Sequence, residues 1–172
     1  MYIYLLTKMK ENTDKLAMKL WEIKRNQKAI EFSRALKEKA YDLEFEILDF
    51  NYADNFMNKS ENYPKNKYER NLYKQILLNN DLAVYCEMET FLNKISEKSI
   101  YVFFYNYNFG LVKINKVQIL KFWKLLIQID NDEIMIFNSS TGKFLSIELN
   151  EDFIKNKENL GRMKFYELTE SE

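Results

Sequence analysis

Apolar residues between Asp14 and Lys39 recur at helical spacing, and Asn12 or Thr13 can cap the start. At about 100° per residue they fall into two stripes. Leu16, Leu20, Ile23 and Ile30 make the first. Met18, Trp21, Ala29, Phe32 and Leu36 make the second, roughly opposite, with lysines and other polar residues between. A helix apolar on two sides is either sandwiched between layers or offers one side to a partner, and burial on both sides is the expectation. The period then changes. Tyr41, Leu43, Phe45 and Ile47 alternate with Asp42, Glu44 and Glu46, which predicts a half-buried strand. Leu43 and Ile47, four apart, would also suit a continuing helix.

Asn58 to Lys67 is polar, contains the sole proline, Pro64, and reads as a loop. Helical segments are predicted near Tyr68 to Asn79 and from Asp81 to Glu97. The second would place Leu82, Tyr85, Met88, Leu92 and Ile95 on one face, with Asp81 as its cap. After that, β character rises. Ser99 to Phe104 and Gly110 to Ile114 form a hairpin around an Asn106 to Asn108 turn. Asn115 caps a helix through Gln128 whose apolar arc spans about 220°, wide enough for a central, well-covered helix. Ile134 to Asn138 and Lys143 to Leu149 make a further hairpin through Ser139 to Gly142. Asp152 to Glu158 reads as a short helix and Arg162 to Leu168 as a last strand. Helices come first and strands later, so the class is α+β: a helical N-terminal part, then a mostly antiparallel sheet packed with helices. The 172 residues are expected to form one domain, 1–172.

Composition narrows the chemistry. There is no histidine, one cysteine and only three glycines. Histidine-dependent hydrolysis is excluded, and a structural zinc site lacks its ligands. Cys86 sits among apolar helix positions and reads as a small core residue. Thr141-Gly-Lys143 lacks the upstream glycine and the following hydroxyl of a phosphate-binding loop. Asp130, Asp132 and Glu133 lie between a helix and a strand and read as a solvated turn, without the spacing of a calcium loop. Tyr101, Phe103, Tyr105 and Tyr107 would share a strand face able to stack bases, but without the basic residue and glycine of an RNA-binding sheet. Aromatic core packing is the expectation there. Carboxylate pairs among Glu44, Glu46, Glu87 and Glu89 carry no spacing that separates catalysis from surface charge. The chain therefore reads as a non-enzyme with no cofactor and no metal. A lone cysteine and the absence of a secretory signal or a long apolar run point to the cytoplasm.

Charge adds the one positive signal. Lys plus Arg and Asp plus Glu balance at 26 each, yet residues 1–40 hold ten basic and five acidic side chains. Tyr41 to Asn58 holds five carboxylates and no cation. Within that tract Asp42, Glu44, Glu46, Asp49, Tyr52 and Asp54 are the candidate partner-binding residues. Carboxylates steer a basic partner and neighbouring aromatics supply anchors. Lysines on the first helix are interleaved with acids, which makes nucleic-acid binding the alternative rather than the first reading.

Lys121-Phe-Trp-Lys-Leu-Leu-Ile-Gln-Ile-Asp130, with Glu133-Ile-Met-Ile-Phe137 and Phe144-Leu-Ser-Ile-Glu148, resembles the C-terminal part of some bacterial immunity proteins, the cytoplasmic partners of polymorphic and contact-dependent toxins. The likeness covers about a quarter of the chain and is one of helix and hairpin texture, with no diagnostic motif. It implies tight binding to a cognate toxin domain and occlusion of its active site. Many such toxins are nucleases, whose basic clefts suit an acidic inhibitor; this chain is neutral overall.

Overall fold

The computed structural model describes residues 2–59, 73–156 and 159–171, with side chains at 14–58, 77–151 and 164–171. The order is α1 (Tyr2–Lys39), β1 (Phe45–Ile47), α2 (Phe50–Lys59), β2 (Tyr73–Leu78), α3 (Asp81–Asn93), β3 (Ser99–Phe103), β4 (Leu111–Asn115), α4 (Lys116–Ile129), β5 (Glu133–Phe137), β6 (Phe144–Asn156) and β7 (Asn159–Ser171). All seven strands join one antiparallel sheet, in the order β1-β4-β3-β5-β6-β7-β2. The fold is α+β.

Alternation along the strands gives the sheet two apolar faces. Ile100 and Val102 of β3, Val112 and Ile114 of β4, and Ile134 and Ile136 of β5 face α1, α3 and α4. Phe103, Leu111, Met135 and Phe137 face the other way, toward Ala53, Phe56 and Met57 of α2. The 3.6-residue period of α4 puts Ile119, Trp123, Leu126 and Ile127 into the larger core, and Leu120, Phe122 and Leu125 border it. Asn115 caps α4 by accepting from the Val117 N–H at 3.0 Å.

Five expectations are overturned. The segment from Tyr73 to Leu78 is a strand paired along its length with β7, not the end of a helix; a short apolar run does not distinguish the two, and pairing decides. The expected helix at Asp152 is a continuation of β6, which with β7 forms a hairpin of two 13-residue strands. Cys86 is exposed, because α3 buries Val84, Met88, Phe91 and Leu92 instead, and Leu82 also faces solvent. Asn80 rather than Asp81 caps α3, accepting from the Ala83 N–H at 2.6 Å. The expected strand from Tyr41 shrinks to Phe45–Ile47; Tyr41 lies in a turn and is 93% exposed. Pro64 and its surroundings lie outside the described residues.

Candidate protein-binding surface

α1 is where the two stripes separate. Ala29, Phe32 and Leu36 are buried against the sheet. Phe32 meets four rings, those of Phe45, Phe104, Tyr107 and Phe109, at centroid distances of 4.5–5.8 Å. The first stripe, Leu16, Leu20, Ile23 and Ile30, is instead 51–59% exposed. Burial on both sides, the expectation, therefore does not hold. Met18 and Trp21, which belong to the second stripe, are also more than half exposed. From residue 14 to residue 24 every described side chain is exposed, so this part of α1 extends beyond its own core.

Arg25 marks the end of the packed part. Its side chain is only 5% exposed. The guanidinium donates from Nε to the Phe109 carbonyl at 2.6 Å, and from Nη1 and Nη2 to both Asp54 oxygens at 2.8 and 2.7 Å. It lies 4.2 Å from the Trp21 ring centroid and 4.5 Å from that of Phe50. Gly110 makes room for it. The residue has φ +141°, and a Cβ there would stand 3.2 Å from Arg25 Nη2 and 3.3 Å from the Ala53 Cβ. One planar, five-donor group thus joins α1, α2 and the loop between β3 and β4, which a lysine could not do. Sequence reasoning missed this clamp. The available signal was an arginine at a core position of the stripe, four residues after Trp21.

The acidic candidates divide by role. Asp54 turns inward to Arg25. Asp49 caps α2, its Oδ1 accepting from the Tyr52 N–H at 3.0 Å. Asp42 pairs with Lys121 of α4, and that hydrogen bond holds its carboxyl below the usual value. Glu46 faces Lys113 across β1 and β4 at 3.3 Å. Tyr52 shares a hydroxyl–hydroxyl bond of 2.9 Å with Tyr101. Burial first, and that bond second, push the Tyr101 hydroxyl up to about 12. Glu44 is exposed and has no partner among the described residues. Asp42, Glu44 and Glu46 therefore line the β1 edge, while Asp49, Tyr52 and Asp54 belong to α2 and its start.

The aromatic strand is not an open stacking platform. Tyr101 lies beneath Tyr52 and Phe56 of α2, at centroid distances of 6.0 and 5.1 Å, and Tyr107 packs on Phe32 across the sheet. The expected solvated turn holds for Asp132, which is exposed, but not for its two flanking acids. Asp130 is fully buried and Glu133 nearly so. The Asp130 carboxylate accepts from the backbone N–H groups of Tyr105 and Asn106, the latter at 2.8 Å, and so anchors the loop between β3 and β4 to the end of α4.

Among the described residues no cluster of three or more Cys, Asp or Glu could hold a metal ion, and no helix is long and apolar enough to cross a membrane. Comparison with protein-family models, curated proteins and solved structures finds no match to this chain.

Proposed function

We propose that the chain is a non-enzymatic binding protein that neutralises a cognate bacterial toxin by docking on it and occluding it. The observation that carries the binding half of this reading is the outer part of α1. Leu16, Met18, Leu20, Trp21, Ile23 and Ile30 are each 51–65% exposed on a single helix. They fall on two sides of the helix, and the larger strip, Leu16, Leu20, Ile23 and Ile30, at roughly 100 Å² apiece presents on the order of 400 Å² of residue surface, within the range of the largest patch of an ordinary monomer; such patches mark interaction sites. A helix apolar on opposite sides is normally surrounded, and here the described part of the chain does not surround it. The toxin half rests on the helix-and-hairpin resemblance and on the exposed carboxylates at the β1 edge, which suit a basic partner.

The test is co-expression with the toxin encoded in the neighbouring reading frame. Growth should be rescued, and a stable complex should elute in gel filtration. Leu20→Glu with Ile23→Glu, both at exposed positions, should abolish rescue while the chain still folds. A chain that neither binds nor protects would refute the proposal, as would a double variant that protects as well as the parent.

A further inference from the structure

The sheet has an open edge where α1 passes it. Among the described residues β1 is hydrogen bonded to β4 alone. The Leu48 N–H donates to the Leu111 carbonyl at 3.0 Å, and the same register sets Glu46 opposite Lys113. Hydrogen-bonded pairs alternate along an antiparallel ladder, so Glu46 and Leu48 direct their N–H and C=O groups toward β4. Phe45 and Ile47 must then direct theirs outward, where no described group meets them. A groove of about 610 Å³ lies beside this edge, between Ala29, Ile30 and Ser33 of α1 and Ile47 and Phe50. It continues past Lys37 into a space of about 440 Å³ next to Leu43 and Phe45.

We propose that β1 and this groove accept an added strand, an extended segment of a partner protein in which apolar and basic residues alternate. Its main chain would bond to the outward groups of Phe45 and Ile47. Its apolar side chains would sit over Ile30, Ile47 and Phe50, since alternate residues of an added strand face α1. The intervening residues would stand beside Glu44 and Glu46, and cations belong there. Glu44 has no partner, and Glu46 is 64% exposed despite Lys113. On the groove side Arg34 and Lys37 stand with a single acid, Glu38, so that side carries a net positive charge and disfavours a further cation. The charges thus favour the alternation. They also disfavour a second copy of this chain in the antiparallel registers that pair Phe45 with itself or with Ile47, which set Glu46 against Glu44 or Glu46, and like charges directly opposite destabilise a pair.

This inference rests on the reading of the chain as a protein-binding module, though not on the partner being a toxin. The test begins with a displayed library of random peptides selected on the intact chain, followed by titration of the synthetic winners. Winners should alternate basic and apolar residues. N-methylation of amides of one parity should weaken them about tenfold or more, because those N–H groups face β1, while methylation at the other parity leaves binding within about twofold. Ile30→Glu, at an exposed helix position, should abolish binding, and Leu20→Glu should not. No selected peptides, or peptides indifferent to N-methylation at both parities or to Ile30→Glu, would overturn the proposal. A whole partner lost through Leu20→Glu but not Ile30→Glu refutes the groove and leaves the module reading standing. A partner lost through neither refutes both.

Discussion

Raising the pH should weaken the fold through one residue, Asp130. Burial pushes its carboxyl from an ordinary 3.8 up to about 7, against the opposing pull of backbone N–H groups from Asn106, Tyr105 and Tyr107, and nearby Glu133 adds to the rise. A raised folded-state value means that the native chain keeps a proton the unfolded chain has released. The favourable contribution is therefore fully present below the unfolded value and is lost as the pH rises through the folded one. The gap of about three pH units corresponds to about 4 kcal/mol between acid and mildly alkaline solution. Asp42 shifts the opposite way, held down by its bond to Lys121, so its own window lies below the ordinary carboxylate value and leaves the range above about pH 4 to Asp130. The assay is urea unfolding, followed by tryptophan fluorescence, at about pH 5, 6, 7 and 8 for the parent and for Asp130→Asn. The parent should lose stability steadily from about pH 5 to pH 7 and only slightly more by about pH 8. The variant should lose the slope, and at about pH 8 it should differ from the parent by the charge penalty it avoids less the 1–3 kcal/mol for the one N–H donor that its NH2 group would face, its amide oxygen still accepting from the other. Parallel pH profiles for the two proteins would refute the reasoning.

Arg25→Met should cost about 3 kcal/mol in urea unfolding, since it orphans the Phe109 carbonyl and leaves Asp54 without its bidentate partner; a loss below about 1 kcal/mol would show that the clamp is dispensable. Gly110→Ala should cost about 2 kcal/mol, because a side chain at φ +141° is strained and its Cβ meets the guanidinium; thermal unfolding unchanged from the parent would contradict this. Phe32→Ala should cost about 4 kcal/mol by opening the ring cluster, whereas Leu16→Ala, 59% exposed, should stay within about 0.5 kcal/mol; equal losses would mean that both stripes are buried.

The layout of the C-terminal half was legible because its signals are local. The Asn115 cap, the wide apolar arc of α4 and the β5–β6 alternation each specify an element from neighbouring residues, and each is found as read. The failures come where distant residues decide. Nothing within Tyr73 to Leu78 announces that β7 will pair with it, residue for residue, about 90 positions later. Asp130 looks like turn chemistry until the backbone of residues 105 and 106 is brought onto it. The acidic tract was legible as a charge pattern but not as a surface. Lys113 and Lys121 come from β4 and α4, and Arg25 from α1, so only the fold reveals that three of its five carboxylates are already paired.

Arg25 also explains how one helix can carry two apolar stripes without two cores. Counting back along the inner stripe, Leu36, Phe32 and Ala29 are each covered, and the next position on that side is Arg25. There the sheet ends and the loop between β3 and β4 turns over, leaving a carbonyl and a carboxylate where the core would have supplied methyl groups. A guanidinium satisfies both, and its outer surface is closed by Trp21, which is itself half in solvent. From residue 24 back to residue 14 every side chain is exposed, so this stretch draws little stability from the core, and most helical stability in proteins comes from packing of an apolar face. The exposed leucines and isoleucines therefore do not account for the fold of this chain. Their spacing becomes useful only when a second surface is laid against them, which is why the outer part of α1, rather than the largely self-paired acidic tract, carries the case for a partner.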